Sequence, residues 1–149
     1  MSFNPSTRAA LVSAVLAASA AFTVPAAAQT DDGLYQQLGG QPALVVLMDD
    51  FMTRLLADRR MAPFFKDVDH THVKAQLVAQ FCEVSGGPCK LKGPDMKKAH
   101  SGFDVSKGDF NALVEVLQQS MDAQGIAFGT QNRLLARLAP MHREIINTP

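Results

Sequence analysis

The chain predicts an all-α fold, a single domain of about six helices, on three observations. Apolar residues recur at intervals of three and four over long stretches, the spacing that gathers them on one helix face. No stretch alternates apolar and polar residues long enough to make a half-buried strand. Glycine pairs and prolines punctuate the periodic stretches, at Gly39-Gly40, Pro63, Gly86-Gly87-Pro88 and Gly125.

The first 28 of the 149 residues read as a leader. Arg8 precedes an apolar, alanine-rich run from Ala9 to Val24, and Ala26-Ala27-Ala28 before Gln29 fits a small-residue cleavage site. The run is short for a membrane span of roughly 20 apolar residues, and Pro25 interrupts it. The expectation is a cleavable secretory signal at 1–28 and a domain at 29–149. The product would be periplasmic or secreted, without stable membrane association after cleavage.

Removing the leader removes only Arg8 among the charges, leaving 13 Lys+Arg against 14 Asp+Glu. That balance argues against nucleic acid or an anionic membrane as partner. With no Trp and Tyr35 the only Tyr, base-stacking platforms are also poorly supplied.

Leu34 to Leu38 reads as a first short helix stopped by Gly39-Gly40. Gln41 to Asp58 follows, with Pro42 in its first turn and a face of Leu44, Val45, Met48, Phe51, Met52, Leu55 and Leu56. Pro63 breaks the chain, placing Phe64-Phe65 in a connecting segment. Asp69 or Thr71 caps a helix over His72 to Ser85, with a stripe of Val73, Leu77, Gln80, Phe81 and Val84. Asp95 to Ala99 is a short helical segment entered through Gly93-Pro94. Ser106 to Asp109 looks like a capping box opening a helix to about Gln124. Its face is Phe110, Leu113, Val114, Leu117 and Met121. Gly125 and Gly129 frame a turn. Thr130 starts the last helix, carrying Leu134, Leu135, Leu138, Met141 and Ile145, with a kink expected at Pro140.

Two features carry chemistry. Cys82 and Cys89 are an even pair, which in an exported protein reads as a disulfide; a buried thiol plus an exposed one is the alternative. Neither belongs to a C-x-x-C-H motif, so covalent haem attachment is not indicated. His100 ends the short segment at 95–99. A neutral imidazole is a common iron ligand, and a surface or hydrogen-bonded core histidine has the same appearance in sequence. A helix of one turn cannot hold itself in water, so something packs against it, and a flat apolar cofactor is one candidate.

From about Leu34 to Ile146 the chain resembles the truncated haemoglobins, the two-on-two globins, most closely group I. The residues that carry the resemblance are Leu34-Tyr35 with Leu38-Gly39-Gly40, Asp49-Asp50-Phe51, Pro63-Phe64-Phe65 and Gly86-Gly87-Pro88. Gly93, Met96-Lys97, His100 and Leu138-Ala139-Pro140 complete the series. The resemblance implies a two-over-two helical sandwich around non-covalent haem b. It makes His100 the proximal iron ligand, Phe65 a residue on the haem face, and Met96 and Val105 proximal packing residues. The distal positions fall at Val73, Leu77, Gln80 and Phe81, with Met52 from the preceding long helix.

The chain departs from the family at those distal positions. Relatives commonly carry Tyr where Met52 stands and Gln at Val73 or Leu77, groups that donate hydrogen bonds to the bound gas. A charge-assisted bond of that kind is worth about 1.5–3 kcal/mol, so its loss raises an O2 off-rate by one to two powers of ten. Gln80 is a possible replacement donor. His70, His72 and His142 are expected at the surface, and Lys90, Lys92 and Lys97 are candidate partners for the haem propionates. A core role for Met52 is favoured over iron ligation.

Two functions follow from the resemblance. The first is a monomeric globin that binds O2, NO or CO reversibly. The second is an exported electron-transfer or NO-detoxification protein with an electron-donor partner. A dioxygenase or peroxidase-like activity is the most the sequence allows as enzyme, and the apolar distal wall argues against a long-lived oxygen complex.

Overall fold

The structure, a computed structural model, describes residues 33–148. The expected signal peptide lies outside the described residues. Among the described residues there is no strand, and no helix is long and apolar enough to cross a membrane.

The chain opens with α1 (Leu34–Gln37) and the long α2 (Gly40–Ala57). A one-turn α3 (Ala62–Phe65) leads to α4 (His70–Val84). The one-turn α5 (Met96–Ala99) precedes α6 (Lys107–Ala123) and α7 (Phe128–Leu138). A 3-10 turn at Ala139–Met141 and α8 (His142–Ile145) follow. α2 packs against α4 and α6, and α7 closes on α1, α4 and α6. Between them lies the core. Leu34, Leu44, Leu47, Met48, Phe51 and Leu55 meet Met61, Phe81, Cys82, Val116, Leu117, Met121 and Leu134, all buried. Full burial of such a side chain stabilises by about 1.5–3 kcal/mol.

The periodic stretches set these elements, with local corrections. α2 turns Leu44, Leu47, Met48, Phe51 and Leu55 inward, a three-four repeat that includes Leu47 and leaves Val45 44% exposed. Val45 stands one residue, about 100°, beyond the stripe. Phe64 and Phe65 lie in a helical turn rather than a connection, because Pro63 sits in its first turn, where a missing N–H costs nothing. Asp69 caps α4 by accepting from the His72 N–H at 3.0 Å, so the helix starts at His70, two residues before the expected start. At Ser106 the capping box is complete: its hydroxyl accepts from the Asp109 N–H, and the Asp109 carboxylate accepts from the Ser106 N–H. The Ser106 hydroxyl, donating to the Asp109 carboxylate at 2.6 Å, and then the Ser106 N–H hold that carboxyl below the usual carboxylate range.

Gly129 lies inside α7, which begins at Phe128 rather than Thr130. Pro140 ends that helix instead of kinking it, and the chain tightens into the 3-10 turn before α8.

The sulfurs of Cys82 and Cys89 lie 2.02 Å apart, joining the end of α4 to the loop beyond it. Gly87 sits inside that loop. A Cβ there would come within 2.7 Å of both the Cys82 sulfur and the Tyr35 ring, so only glycine fits.

Candidate functional site

A cavity of about 790 Å³ opens between α4 on one side and the 91–105 segment with α6 on the other. That is within the ~300–1,000 Å³ range of ligand and cofactor sites. α3 supplies Phe64 and Phe65; α4 supplies Val73, Leu77, Gln80 and Phe81. Met96, His100, Phe103 and Val105 come from the segment after α4, and α6 adds Phe110, Leu113, Val114 and Leu117. Leu135, Leu138, Met141 and Ile145 close the far end.

His100 is the C-cap of α5. Its Nδ1 lies 2.7 Å from the Met96 carbonyl oxygen. A carbonyl only accepts, so Nδ1 carries the proton and Nε2 is left with its lone pair. This is the arrangement in which a second hydrogen bond fixes the tautomer of a metal-ligating histidine. Asn147 Nδ2 donates to the His100 carbonyl at 3.1 Å. The Asn147 and Thr148 N–H groups both donate to the Val105 carbonyl. Among the described residues no three His, Cys, Asp or Glu side chains gather to hold a bare metal ion. A single imidazole on an apolar slot suits a metal that arrives already held in a flat macrocycle. The margin also fits one that carries acidic groups: His72, Gln76 and Lys92 line the cavity together.

Of the nine expected cofactor-binding positions, His100, Phe65, Met96, Val105, Val73, Leu77, Gln80 and Phe81 line this cavity. Met52, the ninth, is buried in α2 beside Phe51, which does line the cavity; one step along a helix rotates a side chain by about 100°.

Gln80 is committed: its Nε2 donates to the Met141 sulfur at 3.1 Å and to the Met96 sulfur at 3.6 Å. Lys90 pairs with Glu83 at 3.1 Å instead of facing the cavity, and Lys97 is exposed away from it. Lys92 alone of the three lysines reaches the margin. His72 is exposed, as expected, yet stands at the cavity edge. His70 is half-buried, with Nε2 at 2.7 Å from the Phe65 carbonyl, and His142 is exposed beside the Phe110 ring.

Sequence reading missed Phe51 as a wall residue and Gln76 altogether. A signal for Gln76 was present: it stands four residues after His72 and three after Val73 on the same helix. The loop before α5 has its own anchor. Glu83 accepts from the Leu91 N–H at 2.8 Å and from Lys90. These bonds, the Leu91 one first, hold the Glu83 carboxyl below its ordinary range.

With this geometry in hand, the chain matches the bacterial-like globin family over residues 33–147. It is 30% identical over 112 residues to the group 1 truncated haemoglobin GlbN of Mycolicibacterium paratuberculosis, covering 75% of this chain and 82% of the relative. It is 30% identical to the Nostoc commune protein of the same description, covering 76% and 97%. The crystal structure of the Tetrahymena pyriformis truncated haemoglobin in its Fe(III) form superposes with a TM-score of 0.74 at 27% identity, covering 77% of this chain and 98% of that one. The fold and the slot define a two-over-two globin. The chain belongs to the bacterial-like globins, in the group 1 truncated haemoglobins, a family of haem proteins that bind diatomic gases.

Proposed function

We propose that this protein is an exported globin that holds haem b through His100 and binds a diatomic gas reversibly. The observation that carries the reading is the His100 ring, on the cavity wall, with Nδ1 protonated toward the Met96 carbonyl and Nε2 free to ligate. Haem, when bound, supplies a ferrous centre with one coordination position open to a small gas. Phe65, Val73, Leu77 and Phe81 exclude water from the slot and pack on a flat apolar ring. His72, Gln76 and Lys92, which line the cavity, would hold the ring's carboxylates.

Val73 and Leu77 present no proton donor, and both Gln80 amide protons are engaged by sulfur. The pocket therefore suits NO or CO, which depend less on a donor than O2 does. The Cys82–Cys89 bridge belongs with an oxidising compartment, in keeping with a cleaved leader, a mature N-terminus at Gln29, and a monomer.

The test is an optical spectrum of the haem-loaded protein, ferric, ferrous, and ferrous with CO, beside His100→Gly with and without added imidazole. A five-coordinate ferrous species that binds CO at once, and a variant restored by imidazole, are expected. A six-coordinate ferrous spectrum would move the assignment to a two-ligand redox protein. Failure to take up haem at all would remove the haem reading.

A further inference from the structure

Gln80 was a candidate for the gas-facing side of the pocket, yet its amide points elsewhere. Nε2 lies 3.1 Å from the sulfur of Met141 and 3.6 Å from the sulfur of Met96. A thioether has no proton to give, so the nitrogen rather than the oxygen faces both sulfurs. The amide has two protons, and two acceptors take them. What remains, Oε1, only accepts. The Gln80 NH2 group thus faces the two sulfurs.

Met96 is the residue whose carbonyl holds the His100 ring, at 2.7 Å from Nδ1. Its amide neighbourhood is weak in its own right. α5 is one turn long, capped at its start by Asp95 accepting from the Lys98 N–H, and one turn does not persist unaided. The Met96 backbone is held by the Asp95 cap and by α8, and its flexible thioether takes a fixed place only where something binds the sulfur. The Met96 sulfur accepts from the Gln80 amide.

We infer that Gln80 is a positioning residue for His100, acting through Met96 at the end of the cavity that Met141 closes. The side chain of α4 fixes the thioether, the thioether fixes the first residue of α5, and that residue's carbonyl sets the orientation and tautomer of the imidazole. Met141, on the 3-10 turn, is the third corner and ties the same amide to the end of α7. The inference rests on His100 being the iron ligand. It assigns to a helix on the opposite wall a part in the strength of the iron–histidine bond.

The experiment uses the full haem-loaded chain with Gln80→Leu, Gln80→Glu, Met96→Leu and Met96→Gln. Gln80→Glu keeps the size and loses the donor; Met96→Gln keeps an acceptor within reach of Gln80. Two readouts are taken: the iron–histidine stretch of the ferrous five-coordinate form by resonance Raman, and hydrogen exchange of the His100 amide, which bonds to the Met96 carbonyl at 3.1 Å. Gln80→Leu, Gln80→Glu and Met96→Leu should each shift and broaden the stretch. Each should also speed exchange at His100 by roughly two- to tenfold, the effect of one modest hydrogen bond. Exchange in α6 should be unchanged, and Met96→Gln, which restores a partner for the Gln80 amide, should slow exchange at His100 relative to Met96→Leu.

An unmoved stretch together with a faster O2 off-rate in both Gln80 variants would overturn the inference and restore Gln80 as a gas-side donor. A stretch unmoved with gas rates also unmoved would overturn it equally. Loss of haem from Gln80→Leu alone leaves Gln80→Glu and Met96→Leu to decide. His100→Gly separates the two levels. If it retains the iron–histidine stretch, the ligand assignment has failed; if it loses the stretch while the Gln80 variants leave it unmoved, only this inference has.

Discussion

The core built on α2 and the segment that carries His100 are held by different means. In the first, Leu44, Met48, Phe51 and Leu55 are buried to within 1% along one long helix, and α4, α6 and α7 close on them. In the second, residues 86–105, Val105 is the one buried residue, and the only helix is the four-residue α5. Packing stabilises the first. Point fasteners hold the second: the Cys82–Cys89 link, Glu83 on the Leu91 N–H, the Asp95 cap, and Asn147 on the His100 carbonyl. The core and the histidine segment are therefore held separately, although Phe51, Met61, Phe81 and Leu117 of the core also line the cavity. Substitutions should divide the same way.

The largest expected effect is in the core. Leu44→Ala removes a side chain with no exposure and should cost about 2–5 kcal/mol of global stability, read by urea unfolding. The haem-loaded variant should keep its iron–histidine stretch. A shift in that stretch would mean the two regions are one. Cys82→Ser with Cys89→Ser comes next. Releasing a short loop costs about 2–3 kcal/mol in the chain-entropy account, and the loss should concentrate in faster haem transfer to an acceptor globin while far-UV circular dichroism stays unchanged. Equal loss of helix would break the comparison.

Asn147→Ala should be smaller, about 0.5–1.5 kcal/mol, visible as faster amide exchange around His100 with little change in the thermal midpoint. The smallest effect is a pH dependence at Glu83. Its carboxyl titrates lower in the native state than in the unfolded chain, so in the window between the two values the unfolded state binds more protons. Its contribution is present above the unfolded value near 4.3 and is lost as pH falls through the native one. Protection of the Leu91 amide, after correction for the intrinsic slowing of exchange in acid, should fall across that window on acidification, and Glu83→Gln should flatten the fall.

Much of the fold was legible because helices announce themselves twice, in spacing and in caps. The stripe through Leu44, Met48, Phe51 and Leu55, the box at Ser106 and Asp109, and the cap at Asp69 are local chemistry, and local chemistry survives folding. The failures have equally physical causes. Proline does not state whether it starts a turn or ends one, which is why Pro63 and Pro140 each behaved otherwise than expected. Periodicity marks residues that avoid water but not which apolar space they face. Phe110, Leu113 and Val114 read as core and stand on the cavity wall. Eight of the nine positions expected around a cofactor, His100 among them, line one cavity. The partner of a long polar side chain was not legible: Lys90 and Gln80 each have several possible reaches, and only three dimensions bring Glu83 to the one and two sulfurs to the other.

The bond from Asn147 to the His100 carbonyl joins residues 47 apart along the chain, and Asn147 and Thr148 also reach back to Val105. Each such closure costs entropy before it returns any contact, and there is little buried surface around it to repay the cost early. In refolding, the α2 core should therefore assemble first, with the histidine wall swinging shut afterwards. For a time the slot is walled on one side and open on the other, wide enough to admit a flat ring edge-on. Stopped-flow refolding with haem present should then show recovery of far-UV circular dichroism and haem capture in that order, and Asn147→Ala should delay only the second.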